Sequence, residues 1–376
     1  MATIDFLLPT PLRGSGGHRT IVANAEALAD RGHRVRLHVQ RSRRMRNTLR
    51  KTQEWHGVQS CELSDGWPSA LPDSDAVMAT TWFSAGSVAT LSTEARRLYF
   101  VQDYEPLFFP AGDFAVAASA SYTLGLQTLV IGRWLQHKLF VDHGVKAWSV
   151  PFTADQSIYT PAQMQRAARV VAIYQPEKNR RCPALVEDTL RRLIEVTGVE
   201  VVTVGSAAGP SLGPHHRHRG IVSKEELATL YQSSRVGLCL SASNPSRVPF
   251  EMMACGLPVI ELGLPNNAYD LPPEGCLLAR PDPDSLAEAL RVVLDDESSR
   301  NRLSNGGADY MRFWQQSREI EAFIEFVEGQ MHDSLPAPQK PTPLHKGQPF
   351  EASTLERWMP SHARSRPSRA LGRRFT

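Results

Sequence analysis

The chain has 376 residues, of which 41% are hydrophobic and 22% charged, and it carries a net charge of +3 at pH 7. That balance is ordinary for a soluble globular protein with room for two domains, and no segment approaches the ~18–20 uncharged apolar residues of a membrane span. Residues 333–376 hold eight Lys/Arg against three Asp/Glu, so the basic excess lies in the tail and excludes a nucleic-acid partner read from the folded body.

In chain order, IDFLLP reads as an apolar first strand. No basic segment precedes it, which argues against a signal peptide. PLRGSGGH is a glycine-rich turn, RTIVANAEALADRGH a helix and RVRLHVQ an alternating strand. Gly16 and Gly17 would let the backbone approach a ligand at a helix start, or simply make a tight turn. Their spacing is not G-x-G-x-x-G and no acid closes the second strand, which counts against NAD. The cluster Arg41, Arg43, Arg44, Arg46, Arg50 and Lys51, near Trp55, suits either a solvated face or anionic lipid headgroups. Strands follow at DAVMATTW, RLYFVQDY, TLVIG and KAWSVPF. Gln102, Asp103 and Tyr104 close one of them, where Asp103 either meets a sugar hydroxyl or forms a turn before Pro106.

After VPFTADQSIYTP the pattern restarts. ARVVAIYQP, VEVVTVGS, RVGLCLSAS, LPVIELG and GCLLARPD are strands. They alternate with helices at PALVEDTLRRLIEVTG, KEELATLYQSS, VPFEMMACG and DSLAEALRVVLDD. The fold class is therefore α/β, with two Rossmann-like domains in series and ligands expected in a cleft at the carboxyl ends of the sheets. Lys178 and Arg180 follow the first strand of the second domain and suit a diphosphate, the alternative being a solvated turn. Glu251 begins a helix within an apolar run. An ionised glutamate there accepts hydrogen bonds from vicinal hydroxyls, as a ribose offers, or else caps the helix. Asp73-x-Asp75 and Asp282-x-Asp284 have the spacing of a metal-binding carboxylate pair but read better as caps or loops, and His215 to Arg219 could hold a metal but reads better as a basic loop. The five dispersed cysteines read as reduced core thiols, so neither a disulfide frame nor a metal site is expected. Residues 299–331 are helical, and the Pro/Ser/Arg-rich remainder is expected to lack order.

The run SRVGLCLSASNPSRVPFEMMACGLPVIEL resembles the nucleotide-sugar segment of retaining GT-B glycosyltransferases of family 4, in particular the rhamnosyltransferase (rhamnan-synthesis) branch. GSGGHRTI, LYFVQDYEPLFFPAG, QPEKNRR and FWQQSREIEAFI agree in order, over roughly residues 3–330. The resemblance implies an N-terminal acceptor domain over 1–152 and a nucleotide-sugar domain over 153–310. It also implies a helix over 311–332 returning to the first domain, ahead of the 333–376 tail.

It further implies donor contacts from Gly16, Gly17, Lys178, Arg180, Ser243, Pro249, Phe250 and Glu251. Acceptor contacts would come from His18, Gln102, Asp103 and Tyr104, with Asp103, Lys178 and Arg180 nearest the chemistry. Glu251 matches the second glutamate of the family's paired motif. Ser243 stands where the first would be, as in the rhamnosyltransferase branch.

The implied activity is metal-independent transfer of a deoxyhexose, L-rhamnose from dTDP-L-rhamnose, to a surface glycan that could be lipid-linked. No cofactor is implied. The expected location is the cytoplasm, with peripheral attachment at the inner face of the plasma membrane. A UDP- or GDP-hexose donor, or a non-catalytic glycan-binding relic, are the competing readings.

Overall fold

The computed structural model describes residues 1–352. It contains two compact units, Met1–Phe152 with Gln316–Thr342, and Thr153–Gln315 with the segment from Pro343.

The first unit begins β1 (Thr3–Leu8), α1 (Gly16–Asp30), β2 (Arg34–Val39), α2 (Thr48–His56), β3 (Glu62–Asp65) and β4 (Ala76–Ala79). It continues α3 (Trp82–Thr90), β5 (Arg96–Val101), α4 (Asp113–Ala120), β6 (Gln127–Ile131), α5 (Arg133–His143) and β7 (Trp148–Val150). The strands form one parallel sheet in the order β3-β2-β1-β4-β5-β6-β7. Buried on both faces, β1 and β5 are near-continuous apolar runs, as central parallel strands must be. The exception is Asp5 on β1, which is fully buried. Its carboxylate takes both Arg36 Nη2 and Nε at 2.7 Å and lies 2.6 Å from His38 Nε2. Strand β3 (ELSD) has no apolar periodicity. It sits at the sheet edge, where pairing with β2 alone places it, and pattern reading misses it.

The second unit runs β8 (Ala167–Ile173), α6 (Pro183–Thr197), β9 (Glu200–Val204), β10 (His216–His218), α7 (Lys224–Ser233) and β11 (Ser234–Leu238). Then come α8 (Val248–Ala254), β12 (Val259–Leu262), α9 (Pro265–Asp270), β13 (Cys276–Ala279), α10 (Pro283–Asp295) and α11 (Glu297–Phe313). Its parallel sheet is ordered β10-β9-β8-β11-β12-β13. Leu185, Val186, Leu190 and Leu193 of α6 and Leu286, Leu290 and Val293 of α10 form the core over it. The residues expected as a basic loop at 215–219 instead include the edge strand β10. His216 and His218 point to the same face, each 2.8 Å from Thr203 Oγ1.

The last helix, α12 (Gln316–Met331), belongs to the first unit. Phe323 explains why: its ring lies 6.3 Å from Phe6 and 5.2 Å from Phe100, completing the core over β1 and β5. Order also extends further than composition implies. Pro336 and Gln339 carbonyls accept from Trp148 and Gln136. Leu344 and His345 amides donate to Ala268 O, and Phe350 pairs beside Ala279 on β13. The expectation that structure ends at 333 is thus corrected for 333–352, because backbone groups there find partners on exposed elements. The rest of the expected tail, 353–376, lies outside the described residues.

Candidate functional site

In the second unit the strand order reverses between β8 and β11, the place where ligands meet doubly wound sheets. Two connections leave the carboxyl end there, residues 174–182 after β8 and 239–247 after β11. Ala242 N donates to Arg180 O at 2.8 Å and ties them together. Arg181 is buried, and its Nη1 donates to Ser241 Oγ and, at 3.4 Å, to Asn244 O. The Ser241 hydroxyl lies 3.0 and 3.2 Å from the carbonyls of Asn244 and Ser243. From below, Asn266 Nδ2 reaches Ser241 O at 2.9 Å and Asn267 Nδ2 reaches it at 3.1 Å. Buried side chains thus hold several backbone groups of this loop in place.

On this platform stands α8, which is only seven residues long, with Pro249 at its start and Glu251 in its first turn. Pro favours a helix start and an acidic side chain favours its positive end. The helix presses against β11: a Cβ at Gly237 would come within 2.5 Å of Met252 Sδ, so the strand needs glycine there. Glu251 and Ser243 are both buried. Phe250, expected at the donor, has its ring in the core at 1% exposure, so any ligand contact from it is through backbone.

Beside them, Lys178 is half-buried. Burial, then Arg180 and Arg181, hold its ammonium below the usual lysine range. Among the described residues no carboxylate lies within ion-pair distance of it. Three cations in four residues, Lys178, Arg180 and Arg181, gather positive charge directly at the switch point.

In the first unit the reversal falls between β1 and β4. Ser15 caps α1 by accepting from His18 N at 3.3 Å. A Cβ on Gly17 would lie 3.5 Å from the Gln102 amide, so the glycine turn after β1 and the end of β5 are in contact. Asp103 Oδ1 accepts from Tyr104 N at 2.8 Å. The structure thereby gathers Gly17, Gln102 and Asp103 at the carboxyl edge of the sheet.

Two expected acceptor residues turn inward instead. The Tyr104 hydroxyl bonds Asp142 at 3.3 Å and His143 Nε2 at 2.9 Å, and its ring lies below Lys138 Nζ. His18 is buried, stacked 4.9 Å from His56, with Nδ1 3.0 Å from Ser15 Oγ. Burial keeps His18 below the normal histidine range and brings His56 to about 4. These side chains position the edge rather than line it.

The remaining candidates resolve as structure. Asp73 pairs with Arg36, Asp75 accepts from Thr3 N, and Asp282 caps α10. Asp284 pairs with Arg192. All five cysteines are free, four of them buried. No group of three or more His, Cys, Asp and Glu able to hold a metal occurs among the described residues.

Comparison with known proteins matches residues 168–291 to the WsaF C-terminal domain model. The O-antigen biosynthesis protein RfbC of Myxococcus xanthus is 33% identical over 252 residues, 64% of this chain and 20% of the relative, so the chain spans a fifth of that protein's length. Among solved structures, sucrose-phosphate synthase from Thermosynechococcus elongatus superposes with TM-score 0.65 at 17% identity, over 89% of this chain and 98% of that one. Anabaena Alr3699/HepE in complex with UDP and glucose gives 0.68 at 14%, over 89% and 100%.

The fold is GT-B.

Within this GT-B chain, sequence reading missed two buried carboxyls. Glu105 accepts from Trp82 N at 2.6 Å and from the Tyr99 hydroxyl at 3.1 Å, and burial pushes it up to about 8. Glu261 accepts at Oε1 from Ser241 N at 2.9 Å and Leu262 N at 2.7 Å, while Oε2 finds no partner among the described residues. Burial pushes it up to about 8 against the opposing effect of those amides and of Arg181. A strand-embedded glutamate has no periodic signature.

Glu261 makes the GT-B platform pH-sensitive. Unfolded, it loses its proton near 4.5; folded, it keeps it to about 8. The folded state thus binds the extra proton across that window, and stability falls as pH rises through it, by roughly a few kcal/mol in all. Glu261→Gln keeps the acceptor oxygen without the ionisation. Urea midpoints measured from pH 5 to 8 are expected to decline less steeply in the variant than in the parent chain. Parallel declines would remove Glu261 as the source.

Proposed function

We propose that the chain is a glycosyltransferase of surface-polysaccharide assembly that takes a nucleotide-diphosphate sugar as donor and a glycan as acceptor. The observation that carries the reading is the switch point of the second unit, where Lys178, Arg180 and Arg181 cluster beside a buried glutamate at a helix start. A diphosphate answers the first feature and a ribose diol the second. The matches to an O-antigen biosynthesis protein and to GT-B enzymes support it.

In the finer form of the proposal the donor is dTDP-L-rhamnose, the acceptor a lipid-linked glycan, and transfer retains anomeric configuration without a metal. The bond from the anomeric carbon to the diphosphate oxygen breaks, and the nucleoside diphosphate leaves with the electron pair. Lys178 and Arg180 neutralise its charge. The acceptor hydroxyl oxygen bonds to the same face of that carbon and releases its proton to the departing phosphate or to Asp103. Gly16, Gly17, Gln102 and Asp103 are assigned to holding the reacting sugars. Ser243 and the backbone of Pro249 and Phe250 border the donor. A second reading, with a UDP-hexose donor, is favoured by the UDP and glucose found with Alr3699/HepE.

Titration with dTDP-rhamnose, UDP-glucose, UDP-N-acetylglucosamine and GDP-mannose separates them. Tightest binding to dTDP-rhamnose is expected, and preference for a UDP-hexose would replace the rhamnose assignment. Binding to none would overturn the glycosyltransferase reading. Glu251→Ala is expected to weaken the preferred donor by roughly ten- to a hundredfold, the worth of a charged hydrogen-bond pair. Unchanged affinity would remove it as ribose ligand.

A further inference from the structure

The carboxyl edge of the first unit exposes far more apolar surface than its core requires. After β5 the chain forms a 3₁₀ turn, Glu105–Phe108, and then α4, of sequence DFAVAASA. In that stretch Leu107 is 47% exposed, Phe114 64% and Val116 67%, and only Ala118 of α4 is buried. Helices normally bury one face; this one leaves nearly its whole surface uncovered.

Aromatic rings continue the surface. Trp67 stacks on Phe83 at 5.7 Å, Phe83 meets Trp82 at 5.4 Å, and Trp82 meets Phe109 at 6.1 Å and Phe114 at 6.4 Å. The row thus connects the ends of β3, β4 and β5. At its β3 end lies Arg41, which packs against Gly66 and pairs with Asp65. Arg41 opens the segment bearing Arg43, Arg44 and Arg46, all exposed and without an acidic partner among the described residues. A trough of about 500 Å³ flanks α4, walled mainly by alanine with Pro106, Gly112 and Val116, its polar contributions being Ser119, Thr123 and His143.

We propose that this edge is a membrane-docking surface: Leu107, Phe114 and Val116 enter the acyl region, Trp82 and Trp67 lie at the interface, and Arg43, Arg44 and Arg46 meet anionic headgroups. The pattern is that of an interfacial segment, with apolar and aromatic groups on one part and unpaired arginines on the other. A soluble glycan fits less well, because its hydroxyls need hydrogen-bonding partners and beyond Asp113 at its start α4 presents only Ser119. A protein partner would cover the apolar part but does not call for the row of unpaired cations. Asp113, at the start of α4, is the one acid on the helix. The inference goes beyond the proposed transfer activity and its test needs neither donor nor acceptor.

Flotation of the full chain with vesicles of phosphatidylcholine, with and without one part in three of phosphatidylglycerol, tests the surface. The parent chain is expected to float with the anionic vesicles and to release at high salt. Arg43→Ala, Arg44→Ala and Arg46→Ala should each weaken partition roughly fivefold. Phe114→Ser with Val116→Ser should weaken it roughly tenfold or more, from the lost apolar burial. Both side chains are exposed, so the melting temperature should not change, and a circular-dichroism melt checks that. A parent chain that stays in solution, or an α4 variant that floats like the parent, overturns the proposal. So does self-association or glycan binding through this face without vesicle binding.

Discussion

Lys178→Ala is expected to reduce turnover by roughly 10²–10³-fold while leaving the melting temperature unchanged or slightly raised. The two halves of that result have one cause. Lys178 is a half-buried cation whose neighbours are Arg180 and Arg181 and which bonds no carboxylate among the described residues. In the unliganded protein it is a net electrostatic cost, because desolvation and like charges both disfavour the ammonium. In the proposed reaction it faces the charge that develops on the departing diphosphate, where a preorganised cation is worth about 3–4 kcal/mol. Lys178→Arg keeps the charge but replaces a point donor with a planar fork, so it should recover part of the rate. Steady-state kinetics with the preferred donor, paired with calorimetry, reads both halves. A large drop in stability would make Lys178 a structural residue, and full activity in the alanine variant would move the diphosphate elsewhere.

The second large effect concerns stability alone. Asp5→Ala should destabilise the first unit by about 3–5 kcal/mol, because it leaves Arg36 and His38 beside an emptied site inside the sheet. Burial pushes the Asp5 carboxyl up, but bonds from His38, Arg36 and Ser74 outweigh it and hold it below the usual range. Its contribution is accordingly full above the ordinary aspartate range and is lost as pH falls through the depressed value. Urea unfolding followed by amide exchange in β1 and β2 measures it. Replacing Arg36 and His38 as well, with apolar residues of similar volume, should recover much of the loss. If Asp5→Ala alone costs less than about 1 kcal/mol, the network does not hold the sheet.

These two sites differ in how far a linear reading reaches them. Lys178 and Arg180 stand out because a cation pair directly after an apolar strand is visible as letters. Asp5 does not, since its partners sit on β2 and beyond Leu71, and parallel pairing alone brings Arg36 and His38 to one face. The same holds for Glu261, whose meaning depends on the Ser241 amide two elements away.

Periodicity and apolar content were enough to specify two parallel α/β units, since strands buried on both faces must be continuous apolar runs and amphipathic helices must cover them. The alternation, the turn after the first strand and the basic turn at Lys178 follow from residue type and spacing. Tertiary structure decided what side chains do once packed. It turned Tyr104 and His18 inward, made Phe250 core, gave backbone groups of 333–352 partners, and left α4 uncovered. It also placed the edge strands β3 and β10, whose polar sequences become strands only because a neighbour offers hydrogen bonds. Those outcomes depend on contacts between residues far apart in the chain, and a local pattern carries no record of which partner a buried group will find.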